Sequence, residues 1–147
     1  MLNSIKKVLQ ELLNRNGIPS VKGSLPRAVP SAEEAIIPFN PAEHAIQPQS
    51  LKRLIDNGHD MVLLDVREAW EYEIVHLNGA KQIPLGELPK QASLLNLYAE
   101  IVVYCHKGMR SLDAAHLLQQ LGFKRVKSLV GGIDQWAREI DTELQRY

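Results

Sequence analysis

Cys105 is the only thiol in this chain of 147 residues, and it stands where the apolar run Ile101-Val102-Val103-Tyr104 gives way to Cys105-His106-Lys107-Gly108-Met109-Arg110-Ser111. A lone cysteine is ordinarily a small buried hydrophobe, and such cysteines lie inside apolar runs. Cys105 instead ends one and is followed by His106, Lys107, Gly108 and Arg110. A β-branched strand, a short glycine-containing turn and a helix aim backbone N–H groups into the turn, where the helix dipole favours negative charge. The anion held there can be the thiolate itself, because a helix N-terminus and the cations Lys107 and Arg110 favour ionised sulfur. Cys105 is therefore a candidate nucleophile.

The pattern on either side of this loop is regular. Ser50 is a plausible cap for a helix through Leu51, Leu54 and Ile55 that stops at Gly58. Met61 to Leu64 reads as a buried strand, Glu68 to Val75 as a short helix, Ala80 to Ile83 as a second strand, and Leu88 to Leu97 as a further helix. The Ile101 to Tyr104 strand follows, then a helix through Leu112, Ala115, Leu118 and Leu121 ending at Gly122. A strand near Arg125 to Leu129 and a helix from Ile133 to Glu139 complete the series. Strands alternating with helices predict an α/β fold, a parallel sheet covered on both faces. Sites in such sheets form beyond the carboxyl ends of strands, where Cys105 stands.

Ahead of this domain, Leu2, Ile5, Val8, Leu9, Leu12 and Leu13 recur at helical spacing up to Asn16-Gly17. This predicts an N-terminal amphipathic helix over residues 3–15, within a segment 1–17. Pro19, Pro26, Pro30, Pro38, Pro41 and Pro48 then predict a proline-rich linker over 18–47, leaving 48–147 as the folded domain. Seventeen basic and seventeen acidic residues cancel, so charge gives no case for nucleic acid or an anionic membrane as a partner. Lys6, Lys7, Gln10 and Glu11 interrupt the first apolar segment, which therefore lacks a secretory core, and no run is long enough to span a bilayer. One cysteine cannot form an internal disulfide, and a cytoplasmic setting is expected. The alternative is an organelle, because the acid-poor amphipathic N-terminal helix also resembles a transit peptide. His44, His59 and His116 lack metal-ligand spacing, so no metal is expected.

Several stretches in order carry a family resemblance: Leu64-Asp65-Val66-Arg67-Glu68, Glu73, His76-Leu77-Asn78-Gly79-Ala80, Cys105 to Ser111, Val130-Gly131-Gly132-Ile133, and Trp136. Together they resemble a single-domain rhodanese, a sulfurtransferase, over about residues 48–147. The resemblance implies a five-stranded parallel sheet with helices on both faces. It also implies that Cys105 takes the outer sulfur of a small anionic donor such as thiosulfate as a persulfide. That sulfur then passes to a thiol, cyanide or a protein acceptor, and no cofactor is implied. N–H groups of residues 106–110 would stabilise the terminal sulfur, with Gly108 letting the backbone curl. His106, Lys107, Gly108, Met109 and Arg110 form the substrate loop, and Arg110 suits an oxyanion through its planar fork. Asp65 and Arg67 match the family's Asp-x-Arg pair and read as a salt bridge supporting the loop, with Ser111 also in support. His76 reads as a local backbone tie, while His106 is either a solvent-facing loop residue or a modulator of the thiol. Trp70 and Trp136 read as packing residues. The ending Trp136-Ala137-Arg138-Glu139-Ile140-Asp141 with terminal Arg146-Tyr147 is similar to rhodanese domains fused to adenylating enzymes, which suggests a sulfur-carrier protein as acceptor.

Two other classes compete. Phosphatases and arsenate reductases of similar fold have a loop one residue longer, whereas four residues separate Cys105 from Arg110, a ring suited to one sulfur atom. Tyr104 also stands where the phosphatase motif has histidine. Regulatory rhodanese-like modules without activity typically lack the cysteine.

Overall fold

The computed structural model describes residues 5–8 and 38–147. Its sheet contains β1 (Ala45–Ile46), β2 (Val62–Asp65), β3 (Lys81–Gln82), β4 (Ile101–Tyr104) and β5 (Val126–Leu129), in the order β1-β5-β4-β2-β3. Every neighbouring pair is parallel, so the expected α/β architecture is the one formed. The connecting helices are α1 (Pro48–Asp56), α2 (Ala69–Ile74), α3 (Leu88–Gln91), α4 (Met109–Gln120) and α5 (Gly132–Glu139).

The middle strand β4 is buried throughout, as an unbroken β-branched run in a doubly covered sheet should be. Its side chains alternate between two cores. Ile101, Val103 and Cys105 pack with Leu88, Ala92 and the Ala114, Ala115 and Leu118 face of α4. Val102 and Tyr104 pack on the other side with Leu51 of α1 and with Ile133 and Trp136 of α5. The chain leaves β2 outward to β3 but leaves β4 in the opposite direction, to β5. The connections therefore diverge at the carboxyl ends of β2 and β4, the place in such a sheet where sites form, and there Asp65 lies in register with Tyr104. Both the Cys105 loop and the Val66-Arg67 segment emerge there.

Four strands lie at the stretches expected to be strands, and the fifth lies in the stretch read as linker. Residues 38–47 belong to the folded unit: Asn40 caps the 3-10 turn Pro41–His44, and β1 then pairs with β5. The His44 ring bonds the Val126 carbonyl at 2.8 Å, and Phe39 stacks on both His44 and His116. A two-residue edge strand between prolines is too short to show a period. Of the expected N-terminal helix, residues 5–8 are helical, with Ile5 buried and Val8 against the core that α4 covers. The rest of that helix, and the expected linker as far as residue 37, lie outside the described residues.

Other boundaries moved for local reasons. Helix α1 begins at Pro48, ahead of Ser50, because proline is pre-organised for the first helical position. The expected Leu88 to Leu97 helix is α3 followed by a 3-10 turn, Ala92–Leu94. Trp136 is buried as expected, but Trp70 is 58% exposed. The six-residue α2 turns Glu71 inward instead, and Trp70 packs at the surface, edge-on to the Tyr147 ring with centroids 6.2 Å apart. Among the described residues no helix is long and apolar enough to cross a membrane.

Candidate active site

Cys105 is 2% exposed, and its Sγ lies inside the turn that its own loop makes. The N–H groups of Gly108 and Ser111 donate to Sγ at 3.1 and 3.3 Å, so two main-chain dipoles point at the sulfur. Both belong to the start of α4, which brings the positive end of the helix to the same atom. The Ser111 hydroxyl lies 3.4 Å from Sγ and 2.8 Å from the Ser128 hydroxyl. The curl depends on Gly108, whose φ of 100° is in the left-handed region and whose missing Cβ lets Gly131 approach. From the far side, the N–H groups of Ile133 and Asp134 at the start of α5 bind the carbonyls of Cys105 and His106 at 2.9 and 3.0 Å. The start of α4 thus holds the sulfur, and the start of α5 holds the backbone of the loop.

A second layer of charge surrounds it. Arg110 makes a two-pronged ion pair with Glu71 of α2, at 2.7 and 2.8 Å. Each Glu71 oxygen accepts a second bond: Oε2 from the Glu68 N–H at 2.9 Å and Oε1 from the Tyr147 hydroxyl at 2.9 Å. Bonding to Arg110 outweighs burial and, with the Glu68 and Tyr147 bonds, holds the Glu71 carboxyl down to about 2. Arg67 is fully buried and donates to both Asp65 oxygens, to the Val75 carbonyl at 2.6 Å and to the Tyr147 hydroxyl at 2.7 Å. Burial opposes its charge, but the bonds to Asp65 and Tyr147 prevail and raise its pKa. The Tyr147 ring also stacks on His106, centroids 4.1 Å apart.

A family model described as the rhodanese-like domain matches residues 47–139. The chain belongs to the rhodanese-like family. This rhodanese-like domain is 42% identical over 91 residues to the Bacillus subtilis protein YrkF, described as a sulfur carrier, a match covering 62% of this chain and 49% of that one. It is 34% identical over 93 residues to a sulfurtransferase of Allochromatium vinosum, covering 63% of this chain and 87% of that one. The Mycobacterium tuberculosis protein MoeZ, described as an adenylyltransferase/sulfurtransferase, is 34% identical over 104 residues, 69% of this chain. The chain thus spans about half the length of YrkF and about a quarter of MoeZ. Among solved structures, a rhodanese-related protein of Thermoplasma volcanium superposes with a TM-score of 0.61 at 30% identity, covering 66% of this chain and 93% of that one.

The rhodanese-like domain brings together most of the residues expected at its site. Cys105, Gly108 and Ser111 form the sulfur cradle, although its second N–H comes from Ser111, just past the expected 106–110. Lys107 and Met109 point outward and are exposed. Arg110 is at the rim but bound to Glu71. Asp65 and Arg67 form a fully buried pair that ties β2 to α2. His76 bonds the Tyr72 carbonyl at 2.9 Å and stacks on its ring, the local tie expected of it. His106 packs under Tyr147 and does not face open solvent. Sequence reading passed over Glu71 in favour of Glu73, which is exposed. The Glu68-x-x-Glu71 spacing at a helix start was the available signal. Nothing in the local sequence marks Ser128 or Tyr147, whose partners are far along the chain.

Proposed function

We propose that this domain transfers sulfane sulfur through a persulfide on Cys105. The observation that supports it most is the pair of N–H bonds from Gly108 and Ser111 to Sγ, in a ring that closes around the sulfur itself. Oriented dipoles of this kind stabilise negative sulfur without rearranging, both before and after sulfur is taken up. In the first step the Cys105 thiolate attacks the outer sulfur of a donor such as thiosulfate. The donor's sulfur–sulfur bond breaks, its electron pair leaves with sulfite, and Cys105 carries the new sulfur. In the second step an acceptor thiolate or cyanide attacks that outer sulfur, and the Cys105 thiolate leaves. A thiolate needs no general base for this, so no triad is required. His106, Lys107, Gly108, Met109 and Arg110 line the loop that the donor meets, while Asp65, Arg67 and Ser111 hold it.

The acceptor proposed is a thiol-bearing protein or a sulfur-carrier protein, which the descriptions of YrkF and MoeZ favour. The reading is tested by intact mass after incubation with thiosulfate. One sulfur atom should be added, removable by reductant, and absent in Cys105→Ser, whose hydroxyl neither ionises nor holds sulfane sulfur. Addition of sulfur to the serine variant, or none to the native chain by any sulfane donor, overturns it.

A further inference from the structure

Every guanidinium around the loop is directed at a carboxylate. Arg67 is paired with Asp65, Arg110 with Glu71, and Arg138 and Arg146 with Asp134. Among the described residues, Lys107 alone in the loop is a cation without an ion-pair partner. The Glu71–Arg110 contact is two-pronged and is anchored from its carboxylate side, where Glu71 is 5% exposed while Arg110 is 36% exposed. Both of its carboxylate oxygens are also occupied by Glu68 and Tyr147, which keep the carboxylate aimed at Arg110.

We infer that Glu71 is a specificity-determining residue: by pairing with Arg110 it denies that cation to small dianionic donors and leaves the site selective for donors with a singly charged leaving group. The inference rests on the sulfurtransfer reading above. Loss of sulfur from thiosulfate expels sulfite, whose two charges develop at the rim, where Lys107 can compensate one. A low-molecular-weight thiol persulfide, R–S–SH, reacts differently. The Cys105 thiolate attacks its outer sulfur, the sulfur–sulfur bond breaks, and a single thiolate R–S⁻ leaves with the electron pair while Cys105 becomes Cys–S–SH. The near-complete burial of Cys105 acts in the same direction, because a terminal sulfur on a narrow stem reaches Sγ more readily than one backed by three sulfonate oxygens.

The test compares persulfide formation on the full chain from thiosulfate and from 2-hydroxyethyl persulfide, whose leaving thiolate carries a single charge, followed by intact mass and expressed as a ratio of specificity constants. The native chain should favour 2-hydroxyethyl persulfide by about tenfold or more. Glu71→Gln keeps the size of the side chain but removes its charge, and should shift the ratio toward thiosulfate by about fivefold. The double variant E71Q/R110Q should lose that shift, since the gain depends on a freed Arg110. An unpaired Arg110 that leaves the ratio unmoved, or a native chain that uses thiosulfate as well as the persulfide, overturns the inference while leaving sulfurtransfer standing. Failure of both donors to load the native Cys105 overturns both. Glu71→Asp, which keeps the charge but shortens its reach to Arg110, should move the ratio the same way, so a Glu71→Gln chain that does not fold is replaced by it, and an unmoved ratio in Glu71→Asp overturns the inference.

Discussion

At the scale of single residues, the least replaceable side chain outside the cradle is Arg67. It is fully buried, with Asp65 beside it, and it links β2, the end of α2 and Tyr147. Replacing one member of such a pair leaves an uncompensated buried charge, so Arg67→Met should cost about 3 to 5 kcal/mol in denaturant unfolding. A loss under about 1 kcal/mol would show that Asp65 finds other compensation. Glu71 should contribute to acid stability. Its folded value, about 2, lies below the ordinary 4.5, so its contribution is complete above the higher value and fades as pH falls through the lower. Between those limits the native chain should lose roughly 2 kcal/mol more than Glu71→Gln, after allowance for the partly exposed Arg110. Parallel acid titrations of the two would deny Glu71 this role.

At the scale of elements, the start of α5 is what holds the loop from behind. Gly132 has φ of 61°, and a Cβ placed on it would lie 2.4 Å from the His106 carbonyl oxygen and 2.5 Å from that of Cys105. Both obstacles are backbone, so α5 and the loop must separate. Gly132→Ala should therefore destabilise by about 2 kcal/mol or more and slow persulfide formation, because the Ile133 and Asp134 N–H bonds are lost together. Melting and sulfur loading measured on one preparation check this. A variant that loads sulfur at the native rate would show that the loop holds its curl without α5.

At the scale of the whole molecule, the boundary of the domain matters. A chain starting at residue 48 lacks β1, Phe39 and His44, uncovering the edge of β5 and leaving the Val126 carbonyl without its His44 partner. It should be less stable than a chain starting at 38 by about 2 to 4 kcal/mol, from lost apolar contact and one lost buried hydrogen bond. Thermal melts of the two, side by side, measure the difference. Equal midpoints would return residues 38–47 to the status of an appendage.

The sequence alone determined what is local and periodic. The β4 run, the loop beginning at Cys105, the Gly108 turn and the α4 face all follow from residue spacing over a few positions, and so the α/β order and the sulfur cradle were legible. The Asp65-x-Arg67 pair is nearly local, and the family resemblance marked it. Tertiary structure alone decided what depends on residues far apart in the chain. Glu71 reaches Arg110 only because the sheet order places β2 beside β4, and Tyr147 joins them only when the end of the chain folds back over His106. Two-residue β1 is a strand only because β5 presents an edge to it. Spacing along a chain encodes which face a side chain takes, whereas the pairing of charges across strands is set by the crossing of connections over the sheet.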